Sequence, residues 1–105
     1  MPARAHLGVA ECALGQIPLS DHEITGEVTL MIRPEQISIS DNPEATGALA
    51  TVLDVVYYGH EATVSLQLTP DLSITARLPG FAMPAINQRV RLTVLGRVHA
   101  FLSPR

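Results

Sequence analysis

Four short stretches of this chain place apolar residues at every second position: Val28-Leu30-Ile32, Val64-Leu66-Leu68, Leu72-Ile74-Ala76-Leu78 and Val90-Leu92-Val94. Successive side chains of an extended strand leave opposite faces, so this period puts the apolar residues of each stretch on one side of a sheet. A helix would scatter them around its circumference, and helical spacing is hard to find elsewhere in the sequence. The chain is therefore restricted to strands with one buried face.

The punctuation between these stretches sets how they connect. Thr69-Pro70-Asp71 combines a proline that presets the first turn corner with an aspartate suited to the next, which predicts a hairpin. Gly59-His60, ahead of Glu61, predicts a second hairpin, because glycine accepts the positive φ of a tight turn. The run from Leu49 to Tyr58 is rich in β-branched and aromatic residues but loses its alternation near Asp54, which predicts a bulge or a bend. Val98-His99-Ala100-Phe101-Leu102 closes the chain as a strand after a turn at Gly96, while loops fall at 41–44 and 79–84. About seven short strands result, the set expected of a small barrel or sandwich. The first ~27 residues read differently, with a short strand over 11–15, a turn and a weak second strand over 17–19, and this portion is expected to need a partner to be ordered.

With 105 residues, 47% of them hydrophobic, the chain has material for one core and too little for two. No apolar run approaches the roughly 20 residues of a membrane span, and the broken stretch 5–10 lacks the continuous apolar segment of an export signal. The lone Cys12 cannot form an internal disulfide and reads as a small core residue in a reducing compartment. Seven arginines, no lysine and ten acids give a net charge of −3, which disfavours binding to a phosphate backbone. Arg77, Arg89, Arg91 and Arg97 are interleaved with strand-period apolar residues and read as a solvated strand face.

Catalytic patterns are missing from the sequence. A phosphate-cradling loop needs a lysine after its glycines, and the chain has none. Ser20-Asp21-His22 sets triad residue types side by side, but a working triad is assembled in space, and adjacent polar residues form solvated turns. His6, His22, His60 and His99 are too far apart to suggest a metal site. Glu35, Asp54 and Glu61 have no cleft-forming motif around them. No catalytic residue, no metal ligand and no cofactor of its own are expected.

Met31-Ile32-Arg33-Pro34-Glu35-Gln36-Ile37, then Gly47-Ala48-Leu49-Ala50-Thr51-Val52, then Tyr57-Tyr58-Gly59-His60-Glu61, occur here in that order. Together they resemble the transport-associated OB (TOBE) domain at the C-terminus of ABC importer ATP-binding proteins, in the branch serving ferric iron, polyamine and thiamine, over about residues 9 to 103. The resemblance implies an all-β, small OB-like barrel over 9–105, with 1–8 as an N-terminal tail or linker remnant left where a parent ATPase finishes. It implies a regulatory and dimerisation module: a homodimer, attached to an ATP-binding domain that would hold ATP and Mg, and through it to membrane permease subunits. The location implied is cytoplasmic, peripheral to the membrane, with neither nucleic acid nor direct membrane insertion.

The motif residues are Arg33, Pro34, Glu35, Gly59, His60 and Glu61. Proline blocks further ladder donation after Arg33, so Arg33-Pro34-Glu35 turns the chain while exposing a guanidinium and a carboxylate. An ion pair from Arg33 to Glu61 or Asp54 is the natural use of that fork. His60 belongs at an exposed turn tip. Residues 9–19 and 98–102 are the strand edges available to a second copy. The alternative is a module that binds a small oxyanion, with Arg33 and Arg77 as contacts. The apolar loop 79–88, with Phe81, Met83 and Ile86, favours contact with protein instead.

Overall fold

The alternating stretches become strands in a computed structural model that describes residues 1–42, 44–79 and 84–102. In order these are β1 (Pro2–His6), β2 (Val9–Cys12), β3 (Gly15–Pro18), β4 (Gly26–Met31), β5 (Ile37–Ser40), β6 (Ala48–Tyr58), β7 (Glu61–Thr69), β8 (Leu72–Pro79), β9 (Arg89–Val94) and β10 (His99–Leu102). A single 3-10 turn, Pro34–Gln36, precedes β5.

Two five-stranded sheets result, ordered β10-β4-β1-β2-β3 and β5-β9-β6-β7-β8, with every strand pairing antiparallel. The edge strands β5 and β8 of the second sheet come into contact, and the 3-10 turn packs against β8 beside that seam. The second sheet is thus a small OB-like barrel, as the all-β reading requires. The first sheet also curls: Leu19, just past β3, forms a parallel bridge with Val98, just before β10. Hydrogen bonds from Ser20 N to Val98 O (3.0 Å) and from Val98 N to Pro18 O (3.0 Å) hold that closure.

The inward faces share one core. Val52, Val64, Leu66, Val90 and Leu92 fill the barrel, and Ile17, Leu19, Val28 and Val98 line the first sheet, all sealed from solvent. Each such side chain contributes roughly 1.5–3 kcal/mol relative to leaving it exposed.

Both predicted hairpins form. β7 and β8 meet around Pro70-Asp71, and β6 and β7 meet at Gly59-His60, where Gly59 has φ +66°. The register of β6 against β7 slips between Val52 and Asp54, so Leu53 is the extra residue of a bulge. Gly47 opens β6 at φ +124°, and a Cβ there would collide with the Leu92 carbonyl oxygen of β9. Only glycine allows the two backbones to approach so closely.

Two sequence expectations are corrected. Residues 1–8 are not a tail: β1 is the middle strand of the first sheet, paired to β2 on one side and β4 on the other. Its inward residue Ala5, like Ala10 on β2, is fully buried, but alanine is too small to announce a buried face by hydrophobicity. The strands described number ten rather than about seven, because β1 and β5 have only five and four residues and show too few alternations to register, whereas β2 and β3 form near the expected strand, turn and weak second strand. Pro43 and the loop residues Phe81 and Met83, for which contact with protein is expected, lie outside the described residues.

Candidate functional site

The motif carboxylates converge on one cation at the barrel seam. Arg77 leaves β8 opposite Thr63 of β7. Its Nη1 lies 3.6 Å from Glu35 Oε2 on the 3-10 turn, and its Nε lies 3.8 Å from Glu61 Oε2 at the start of β7. All three side chains are about half exposed. The turn that carries Glu35 leads directly into β5, so Arg77 ties the edge strand β8 to the chain entering the opposite edge.

The expected role of Arg33 falls to Arg77. Arg33 caps the 3-10 turn in an extended conformation (φ −80°, ψ 145°), is exposed, and makes no ion pair among the described residues. Asp54, its other expected partner, accepts a hydrogen bond from the N–H of Val55 (2.9 Å). Pro34 supplies the first residue of the turn, where its missing N–H costs nothing. His60 is exposed at the hairpin tip beside Gly59. As a ligand contact Arg77 is already engaged by two carboxylates.

Gln36 is the residue that sequence reasoning missed. Its side-chain oxygen accepts the Arg33 N–H (3.0 Å), and its amide nitrogen donates to Leu95 O (3.0 Å) and Arg97 O (3.1 Å). Its carbonyl accepts the Leu95 N–H (2.7 Å). It thereby stitches the turn to the connection between β9 and β10. A glutamine at the third position after a capping residue is a legible signal for this reach back to the cap.

The Ser20-Asp21-His22 cluster does not assemble as a triad. Ser20 Oγ lies 3.1 Å from His99 Nδ1 and 3.2 Å from the Val98 carbonyl, Asp21 accepts the Glu23 N–H, and His22 Nε2 lies 3.5 Å from Arg97 Nη1. Cys12 is half-buried; burial pushes its thiol above the ordinary range, partly offset by the Leu14 N–H that its sulfur accepts. It is held as a neutral thiol rather than activated as a nucleophile. Among the described residues no group of three His, Cys, Asp or Glu side chains is placed to hold a metal ion. None of their helices is long and apolar enough to cross a membrane.

A two-sheet, helix-poor molecule whose barrel seam carries the Arg-Pro-Glu turn and the Tyr-Gly-His-Glu hairpin defines a small all-β, OB-like domain. The family model of the TOBE domain matches residues 30–101, and the chain belongs to that family. It is 34% identical over 109 aligned residues, 99% of its length, to the Fe(3+) ions import ATP-binding protein FbpC of Pseudomonas fluorescens (strain Pf0-1), of which it covers 31%. It is also 34% identical to the protein of that name from Serratia marcescens, covering 90% of this chain and 28% of that one. With Fe(3+) ions import ATP-binding protein FbpC 1 of Rhodococcus jostii (strain RHA1) the identity is 33%, over 88% of this chain and 28% of the relative. The chain spans less than a third of the length of these relatives.

Proposed function

We propose that this chain is the C-terminal regulatory and dimerisation domain of the ATP-binding subunit of a bacterial ABC importer for ferric iron. The observation that carries the reading is the match along nearly the whole chain to proteins named for Fe(3+) import and ATP binding. On this reading ATP and Mg bind a separate nucleotide-binding domain, and the domain described here performs no hydrolysis. It sits on the cytoplasmic side, joined through the ATP-binding domain to the permease.

The surface supports a covered face. The chain exposes 6704 Å², whereas a free-standing monomer of its mass exposes about 5,700 Å² by the usual size scaling. The excess, about 1,000 Å², is comparable to the ~800 Å² that each partner buries in a standard interface. Part of it lies on the edge strand β10 and its neighbour β4, where Phe101, Leu102 and Met31 are each more than half exposed. The unpaired side of β10 is a template for a second copy.

Light scattering on the purified chain across a concentration series tests this. A dimer is expected, and Phe101→Glu is expected to shift it to monomer while leaving the circular dichroism of the fold unchanged. A wild-type chain that stays monomeric throughout the series overturns the dimerisation reading.

A further inference from the structure

We infer that the connection between Ser40 and Ala48 is dispensable to this fold. The domain consists of two equivalent five-strand units that exchange their last strands, and this clasp, rather than the continuity of the chain, holds the units together. The first unit is β1 to β5 and the second is β6 to β10. Numbered within its own unit, each sheet has the same order, fifth-fourth-first-second-third. The fifth strands alone have changed places. β5 follows β4 in the chain but pairs with β9, and β10 follows β9 but pairs with β4.

The correspondence extends to single residues. Ala5, Ala10 and Ile17 stand side by side across the first sheet, and Val52, Leu66 and Ile74 hold the same places in the second. Leu30 faces Ala100, two residues beyond the buried Val98, just as Leu92 faces Ile39, two residues beyond the buried Ile37. Each unit therefore offers a slot that the other unit's strand fills, a reciprocal contact of the kind found between exchanged protomers. Withdrawing either strand strips a ladder of its partner and uncovers apolar surface at the same time.

The two connections that carry the exchanged strands are tied where they meet. Gln36, before β5, donates to Leu95 O (3.0 Å) and Arg97 O (3.1 Å) before β10, and its carbonyl accepts the Leu95 N–H (2.7 Å). Each connection is also fastened to the opposite unit near its third strand. Glu35 lies 3.6 Å from Arg77 on β8, and Arg97 Nη1 donates to Leu19 O (3.2 Å) just past β3. The described residues between β5 and β6 carry less. Apart from Gly47, which packs on Leu92, their bonds are local, from Ala45 N–H to Asn42 O (3.0 Å) and from Glu44 N–H to Asn42 Oδ1 (3.0 Å). Cutting there removes an effective concentration of roughly millimolar order and no contact of the clasp.

A site for a specific protease is inserted between Ala45 and Thr46 of the full chain, the folded protein is cut, and native mass spectrometry follows it on dilution. The two pieces are expected in equal number in every assembly, whether one pair or two, and to separate only below about 1 μM. Phe101 stands opposite Thr29 in the exchanged β10, and Phe101→Pro takes an N–H from that strand. In the cut protein it is expected to weaken the association at least about tenfold. Gln36→Ala, which unties the two connections and leaves the strands intact, is the second variant, with a weakening of at least about fivefold expected. Pieces that part at tens of micromolar while the uncut insertion chain stays folded would overturn the inference, as would an association undiminished in both variants.

Discussion

Arg77 lies 3.6 Å and 3.8 Å from its two carboxylates, distances beyond good hydrogen-bond geometry, so the triad works by charge proximity rather than by a fork of hydrogen bonds. Because all three groups are about half exposed, each pair is worth no more than about 1 kcal/mol. A double-mutant cycle of Arg77→Gln with Glu35→Gln, followed by urea unfolding, is expected to give a coupling under about 1 kcal/mol that shrinks further in high salt. A coupling of several kcal/mol would show the seam to be held mainly by this pair. Sequence reasoning identified Glu61, with Asp54 as the alternative, as the partner in an ion pair but assigned the cation to Arg33 and did not join Glu35 to it. The motif makes Arg33 conspicuous, whereas Arg77 reaches the site only because β8 closes toward β5. That closure leaves no mark in the local pattern around Arg77.

At the scale of the element, the bend in β6 is the most consequential feature. Before the bulge, Ala50 and Val52 point inward; after it, Val55 resumes that face. Leu53 is 42% exposed and contributes little to the core. Leu53→Ser is therefore expected to change stability by no more than about 0.5 kcal/mol. Deleting Leu53 is expected to cost more than about 2 kcal/mol: the inside and outside faces are kept, but the local twist that lets the strand follow the barrel wall is lost. Thermal unfolding of the two variants side by side separates these outcomes, and equal stability would show that the bulge is dispensable. The bulge was legible because a buried aspartate in a regular ladder would have been intolerable. β1 was not legible, since its one buried residue is Ala5, which carries no hydrophobic signature.

For the whole molecule, the first sheet combines β1 to β4 with β10, and the barrel strands lie between them in the chain. Val98, fully buried, and β10 are the only contributions of the last described segment to that sheet. A chain ending before Val98 is expected to lose hydrogen-exchange protection in β4 and β1 while β6, β7 and β8 remain protected. Unchanged protection in the first sheet would show that it stands without its last strand. The all-β class and the hairpin order were readable in the sequence because they are local. The division into two curled sheets was not, because it depends on pairings between distant segments.

This interleaving also orders the events of folding. The hairpins β6–β7 and β7–β8 join neighbours in the chain and can form early at a small entropic cost, whereas β10 finds β4 only across the whole intervening barrel. The barrel is thus the template on which the beginning and the end of the described chain are brought within reach of each other. The pairing of β10 with β4 is expected to complete the first sheet last, so that damage to the barrel is felt there as a delay in assembly.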